Sequence, residues 1–202
     1  MRSIGRAALT TITALVLGSL VPAIALAHEY NAKTTPITAT GENHTFTAGE
    51  AIITCKKAEF KYTGAAGKMA KLHVTPAYKE CKVLGNTALV TVEKAEFLFG
   101  TPTEIKGNEF SMTSAIVGET GAKLKVTATI STEKCEVDFP AQALMGETTK
   151  FINNAGKTGG EVQAKIEGVE YKSNSKCAGK VPAEGTEGKY EGTASETGLI
   201  VE

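Results

Sequence analysis

Three stretches of this chain repeat one pattern of apolar and polar positions. In the first, Ile53 and Cys55 share one phase, and Ala58, Phe60 and Tyr62 the other. In the second, Val90 and Val92 are followed by Ala95, Phe97 and Phe99; in the third, Val162, Ala164 and Ile166 by Val169 and Tyr171. Alternation with period two predicts half-buried strands. Each copy slips by one residue, at Lys56-Lys57, at Glu93-Lys94 and at Glu167-Gly168. A one-residue slip turns every later side chain to the wrong face unless a β-bulge absorbs it, so three bulges are predicted.

The rest of the chain alternates as well. Leu72 and Val74 predict a strand ended or edged by Pro76. Phe110, Met112, Ser114 and Ile116 predict another. Leu124, Val126, Ala128 and Ile130 follow, then Cys135, Val137 and Phe139 before Pro140. Residues 36–48 predict a weak edge hairpin around Gly41-Glu42-Asn43, after a polar lead-in over 28–35. Residues 141–147 predict one helical turn, 153–160 and 173–188 loops, and 190–201 one or two last strands. Short strands with Gly, Thr and Pro punctuation predict an all-β protein, an antiparallel β-sandwich or barrel-like sandwich. The order "cassette, Lys-Leu-x-Val-Thr, Cys" occurs at 54–81 and again at 91–135. It predicts a duplicated strand module, with one domain over 28–202 or two intimate halves at about 36–107 and 108–202.

Composition narrows the compartment. Arg2 and Arg6, an apolar run from Ala7 to Val21 and Ala25-Leu26-Ala27 predict a signal peptide over residues 1–27, and hence a secreted protein without a later membrane span. Beyond residue 27 the chain has 20 Lys, no Arg and 22 acidic residues, a formal charge of −2. Without Arg or a basic block, nucleic acid is not an expected partner. Asp138 is the only Asp, which excludes a D-x-D-x-D-G calcium loop. The four cysteines, Cys55, Cys81, Cys135 and Cys177, predict two disulfides, with the local pairings Cys55–Cys81 and Cys135–Cys177 preferred and the crossed ones open.

Candidate chemistry is sparse. Glu59, Glu96 and Glu170 recur at one cassette position, but alternation turns them toward solvent, so no catalytic residue is assigned. There is no nucleophile elbow, and Asp138 falls on the outer phase. The expected role is non-enzymatic, binding an extracellular protein or cell-wall polymer or serving structurally, with no cofactor. The alternative is copper: cleavage after Ala27 would make His28 the first residue, able to chelate through its α-amino and ring nitrogens with His73 or His44. That would give a copper-binding protein or a copper-dependent redox enzyme.

The Phe-ended cassette, L-x-V-T-P-x-Y-x-x-C over Leu72 to Cys81, C-x-V-x-F-P-A-Q over Cys135 to Gln142 and the Gly-Val-x-Tyr before a Cys from Gly168 to Cys177 resemble a group of uncharacterised secreted all-β proteins of Solirubrobacter-like soil actinobacteria. The resemblance covers most of the chain after residue 27. It implies export and fold, and no chemistry. It also implies a further Cys pair in relatives, near the positions held here by Ala95 and Gly118.

Overall fold

A computed structural model describes residues 27–144, 149–174 and 176–202. All regular structure among them is strand, and every pairing is antiparallel. The signal peptide expected over 1–27 lies outside the described residues except for Ala27.

Eight long strands carry the alternating stretches: β2 (Ile37–Ala48), β3 (Ala51–Tyr62), β5 (Leu72–Val83), β6 (Asn86–Phe99), β9 (Ser114–Ile130), β10 (Glu133–Pro140), β13 (Gly159–Ser173) and β14 (Glu184–Thr197). They pair in the order β10-β9-β6-β5-β3-β2-β14-β13, and β13 pairs back onto β10 through Val137–Ser173 and Asp138–Lys172. The sheet is thereby a closed eight-strand barrel with no free edge in the ring. Residues 36–107 and 108–202 each supply four of these strands. The apolar phase of each strand points inward, so one core runs through the ring.

Seven short strands complete the chain. At one end of the barrel β1 (Tyr30–Ala32) lies between β4 (Gly67–Met69) and β15 (Leu199–Val201) in a separate three-stranded sheet. β7 (Thr103–Lys106), β8 (Glu109–Ser111) and β12 (Lys150–Asn153) extend the sheet from the start of β13, and β11 (Gln142–Leu144) pairs with β9.

Several local expectations are corrected. The lead-in over 28–35 contains β1, because Tyr30 is fully buried and its hydroxyl donates to the Gly100 carbonyl at 2.9 Å. Residues 36–48 are not an edge hairpin but one central strand between β3 and β14. Pro76 does not end its strand. Its missing N–H falls where β5 and β6 have no ladder, between Val74 and Cys81, so no hydrogen bond is lost. Gln142–Leu144 is a strand rather than part of a helical turn, while 145–148 lie outside the described residues. The two Lys-Leu-x-Val-Thr segments do not occupy equivalent places: Leu72 faces Phe99 of β6, whereas Leu124 faces Val92, on the other side of the β6 bulge.

Two of the three predicted bulges form, and the third does not. On β6 the register shifts between Glu93 and Ala95, with Lys94 at φ 53°; on β13 it shifts between Glu167 and Val169, with Gly168 at φ 72°. On β3 Lys56 and Lys57 are consecutively exposed as expected, yet pairing with β5 keeps constant register from Ile53 to Lys61. The neighbours absorb the slip instead. Asn43 on β2 and Glu80 on β5 take φ 56° and 53°, beside exposed Glu42 and Lys79. Slips at one level of adjacent strands form a belt that increases coiling and helps the sheet to close.

Cys55 bonds to Cys81 across the β3–β5 ladder, with Cα atoms 3.9 Å apart, and Cys135 on β10 bonds to Cys177 at 4.7 Å. In the loop-entropy account each bridge removes about 3–4 kcal/mol of unfolded-chain freedom. Ala95 and Gly118 are direct partners in the β6–β9 ladder.

Candidate functional site

The middle of the barrel is filled by aromatic rings. Phe97 on β6 and Tyr190 on β14, four places apart around the ring, stack at 5.8 Å, and Phe46 meets Tyr78 at 5.0 Å and Tyr190 at 4.9 Å. Toward the end closed by β1, β4 and β15, the side chains shorten to Ala39, Ala164 and Ala194. A cavity of about 40 Å³ remains there, walled chiefly by Ile37, Phe60, Leu72, Val74, Phe97, Phe99, Ile166 and Leu199. The cavity follows from the sequence: small residues on β2, β13 and β14 face large ones on β3, β5 and β6.

Five polar side chains reach this apolar space: His44, Tyr62, Tyr190, Ser114 and Glu196; the Tyr62 hydroxyl donates to the Ala65 carbonyl at 2.7 Å. His44 is 1% exposed. Its Nε2 lies 3.1 Å from the Thr193 carbonyl, which can only accept, so Nε2 carries the hydrogen. Nδ1 of the neutral ring then accepts from the Tyr190 hydroxyl at 2.8 Å, and Tyr190 in turn accepts from Tyr78 at 3.4 Å. Desolvation holds the His44 pKa below its ordinary value, against the Thr193 hydrogen bond, and burial pushes Tyr78 and Tyr190 up. The ring fits because Gly41 and Gly192 lie beside it. A Cβ at Gly192 would sit 2.0 Å from Nδ1, and one at Gly41 2.4 Å from Nε2.

Ser114 shares a hydrogen bond with the Thr149 hydroxyl at 3.2 Å. Glu196, 7% exposed, is held at the end of β14, where Oε2 accepts from the Leu199 N–H at 2.9 Å. Its Oε1 is buried and has no hydrogen-bond partner. Desolvation raises the carboxyl to about 7, although the Leu199 and Gly160 backbone N–H groups favour the charged form.

No family model, curated protein or solved structure matches the chain. Function therefore rests on the geometry of the barrel itself.

The residues singled out from the sequence are dispersed. His28 packs on Phe110 at 5.0 Å, with Nε2 3.5 Å from a Glu104 oxygen. His73 lies on the outer face, 3.2 Å from Glu96. His44 is inside, with both nitrogens engaged, and its Nδ1 would have to give up the Tyr190 hydroxyl to bind a metal. Among the described residues no group of three or more His, Cys, Asp or Glu side chains comes together to hold a metal ion. Glu59 and Glu96 face outward, paired with Lys79 and His73, and Glu170 is exposed. Asp138 is half-buried against Lys123 at 2.7 Å.

Sequence reasoning missed Tyr190 and Glu196 and gave His44 only as an alternative copper ligand. A signal existed for Glu196, since Tyr190, Gly192, Ala194 and Glu196 share one phase of β14, and Tyr190 and Ala194 are core residues. An in-phase carboxylate among inward apolar positions is the mark of a buried polar group.

Proposed function

We propose that the protein is an extracellular, non-enzymatic binding protein whose barrel-end cavity takes up a small, largely apolar molecule. The observation that carries this reading is the cavity between the packed aromatic middle and the capping sheet. Eight-strand barrels are just wide enough either to be filled by side chains or to hold one small ligand, and this one is filled in the middle and open inside at one end. We read the ring as a flattened, sandwich-like barrel, supported by the contact of Phe97 and Tyr190 across it. The two disulfides favour an oxidising compartment, which supports secretion. The outer faces carry short-range Lys–Glu pairs such as Lys57–Glu80, Lys79–Glu59 and Lys189–Glu167 rather than a single-sign patch, which supports a ligand held inside rather than a charged polymer outside.

Xenon is a suitable probe, because apolar protein cavities admit it without any specific polar contact. Under xenon pressure, methyl resonances of Ile37, Leu72 and Leu199 are expected to shift and saturate, while those of Val83 and Ile130 at the other end stay fixed. Shifts that are absent, or uniform over the protein, would overturn the reading. Ala39→Leu, which fills the cavity, should abolish the response.

A further inference from the structure

Every polar group of the cavity but one is satisfied from within the protein. His44 donates to Thr193 and accepts from Tyr190, and Ser114 pairs with Thr149. Glu196 is the exception. Its Oε2 is used by the Leu199 N–H, and the Gly160 N–H also favours the charged form, but Oε1 is buried without a hydrogen-bond partner. An unpaired buried carboxylate oxygen is costly, and the two backbone N–H groups offset the desolvation of this carboxyl only in part. Nothing in the strand requires an acid there. The neighbouring inward positions on β14 are Ala194 and Gly192, and the backbone could close onto β15 without a side-chain acceptor.

A carboxylate only accepts hydrogen bonds, so the group that completes it is a donor, and a cationic donor also supplies the missing countercharge. Among the described residues no Lys or Arg forms an ion pair with Glu196, so none of them supplies that cation. The chemistry next to the carboxylate is apolar: Leu199, Ala194, Ile37 and Phe99 border the same space. We propose that Glu196 is the polar anchor of the cavity and that the ligand is a small primary amine, its ammonium hydrogen-bonded to Glu196 Oε1 and its alkyl stem lying along the apolar wall. This rests on the cavity reading above and adds the chemical class of the ligand. The size is compatible. About 40 Å³ is roughly three times the space of the ~10–15 Å³ one water needs, enough for an ammonium and a stem of a few carbons.

The test titrates the full secreted chain at pH 7.5 with n-propylamine, with n-propanol of the same shape and with xenon, following the methyls of Ile37, Leu72 and Leu199 and the carboxyl carbon of Glu196. Propylamine is expected to bind at least about ten-fold more tightly than propanol, and to move the Glu196 carboxyl resonance, which xenon leaves in place. Glu196→Gln, which keeps an acceptor for the Leu199 N–H, is expected to bring amine and alcohol within about two-fold of each other and to keep the xenon response. Equal affinities in the native protein, or an amine preference that survives in the Gln variant, would overturn the assignment of Glu196 while leaving the cavity reading intact. Failure of xenon to shift the three methyls overturns both. The Glu196 resonance is read in the native protein, so the assignment stays testable even if the variant folds poorly.

Discussion

His44 Nδ1 lies 2.8 Å from the Tyr190 hydroxyl, and that hydroxyl is also the acceptor for Tyr78. The tautomer set by Thr193 makes the relay run one way, from Tyr78 through Tyr190 to His44 and, through Nε2–H, to the backbone. Removing any member orphans a buried group. Tyr190→Phe leaves His44 Nδ1 without a donor and Tyr78 without its acceptor, and is expected to cost about 1–3 kcal/mol. His44→Ala orphans the Tyr190 hydroxyl and the Thr193 carbonyl and leaves a cavity, for a loss of about 3–5 kcal/mol. In urea unfolding, the double variant should lose at least about 1 kcal/mol less than the sum of the single losses, because both substitutions break the same bond. Additive losses would show that the two side chains are not coupled.

The glycines beside His44 give a sharper test of the same packing. Gly192→Ala would place a Cβ 2.0 Å from His44 Nδ1, and its three nearest atoms all belong to that ring. Gly41→Ala would place one 2.0 Å from the Thr193 carbonyl oxygen as well as 2.4 Å from Nε2. Each alone is expected to cost roughly 3 kcal/mol or more. In a His44→Ala background the Gly192 substitution should become nearly silent, whereas the Gly41 substitution should remain costly, since backbone still blocks it. Gly156→Ala, whose nearest neighbour is 3.8 Å away, serves as the control and should stay within about 0.5 kcal/mol of the parent. Thermal or urea unfolding of the set separates these outcomes.

The strand class was legible because period-two alternation is strong where one face of a strand is buried, as along Leu72, Val74, Tyr78 and Leu124, Val126, Ala128. The bulges at Lys94 and Gly168 were legible for the same reason, since a slip in phase leaves a trace in the residue order. Closure was not, because the pairing of Val137 with Ser173 joins strands whose local patterns say nothing about partners. β1 was missed because three residues carry too little periodicity, and Tyr30 is buried by β4 and β15 from distant parts of the chain. The burial of His44 was hidden by one feature: Asn43 at φ 56° reverses the phase of β2 just before it, so simple alternation from Ile37 and Ala39 would turn it outward. Glu196 followed the correct phase, but acids are so seldom buried that its phase carried no weight against its charge.

The bulge belt predicts opposite responses at two positions with the same backbone. Lys94 holds φ 53°, where an L side chain is strained, and it is exposed, with a long ion pair to Glu119 at 3.6 Å. Such a pair is worth little, so Lys94→Gly is expected to stabilise by up to about 1 kcal/mol. Gly168 holds φ 72°, and an added Cβ would meet only the Thr186 carbonyl oxygen at an ordinary contact of 3.8 Å, so Gly168→Ala should cost about 1 kcal/mol through backbone strain. Lys94→Val, adding a branched Cβ at positive φ, should cost more than Gly168→Ala. If Lys94→Gly destabilised and Lys94→Val did not, the β6 bulge would not have this conformation in solution.

Glu196 and His44 face the same cavity and pull stability in opposite directions with pH. The folded Glu196 carboxyl, at about 7 against an ordinary 4.5, holds a proton that the unfolded chain releases. Its contribution is complete below about 4.5 and is lost as pH rises through 7, and it amounts to roughly 3 kcal/mol over that span. His44 is the reverse. Its folded pKa lies below the ordinary 6.5, so the unfolded chain takes up a proton first as pH falls. Its contribution is present above 6.5 and is lost as pH drops toward the folded value. Between 4.5 and 6.5 the two effects oppose each other, and the native protein should show a shallow pH dependence. Glu196→Gln should remove one side, so stability falls more steeply with acid than in the native protein, while at pH 8 the variant gains relative to it. His44→Gln should remove the other side, so its deficit narrows as pH falls from 6.5 to 4.5. Urea midpoints of the three proteins at pH 4.5, 5.5, 6.5 and 8 measure this. Parallel curves would mean that neither group changes its protonation on unfolding in this range.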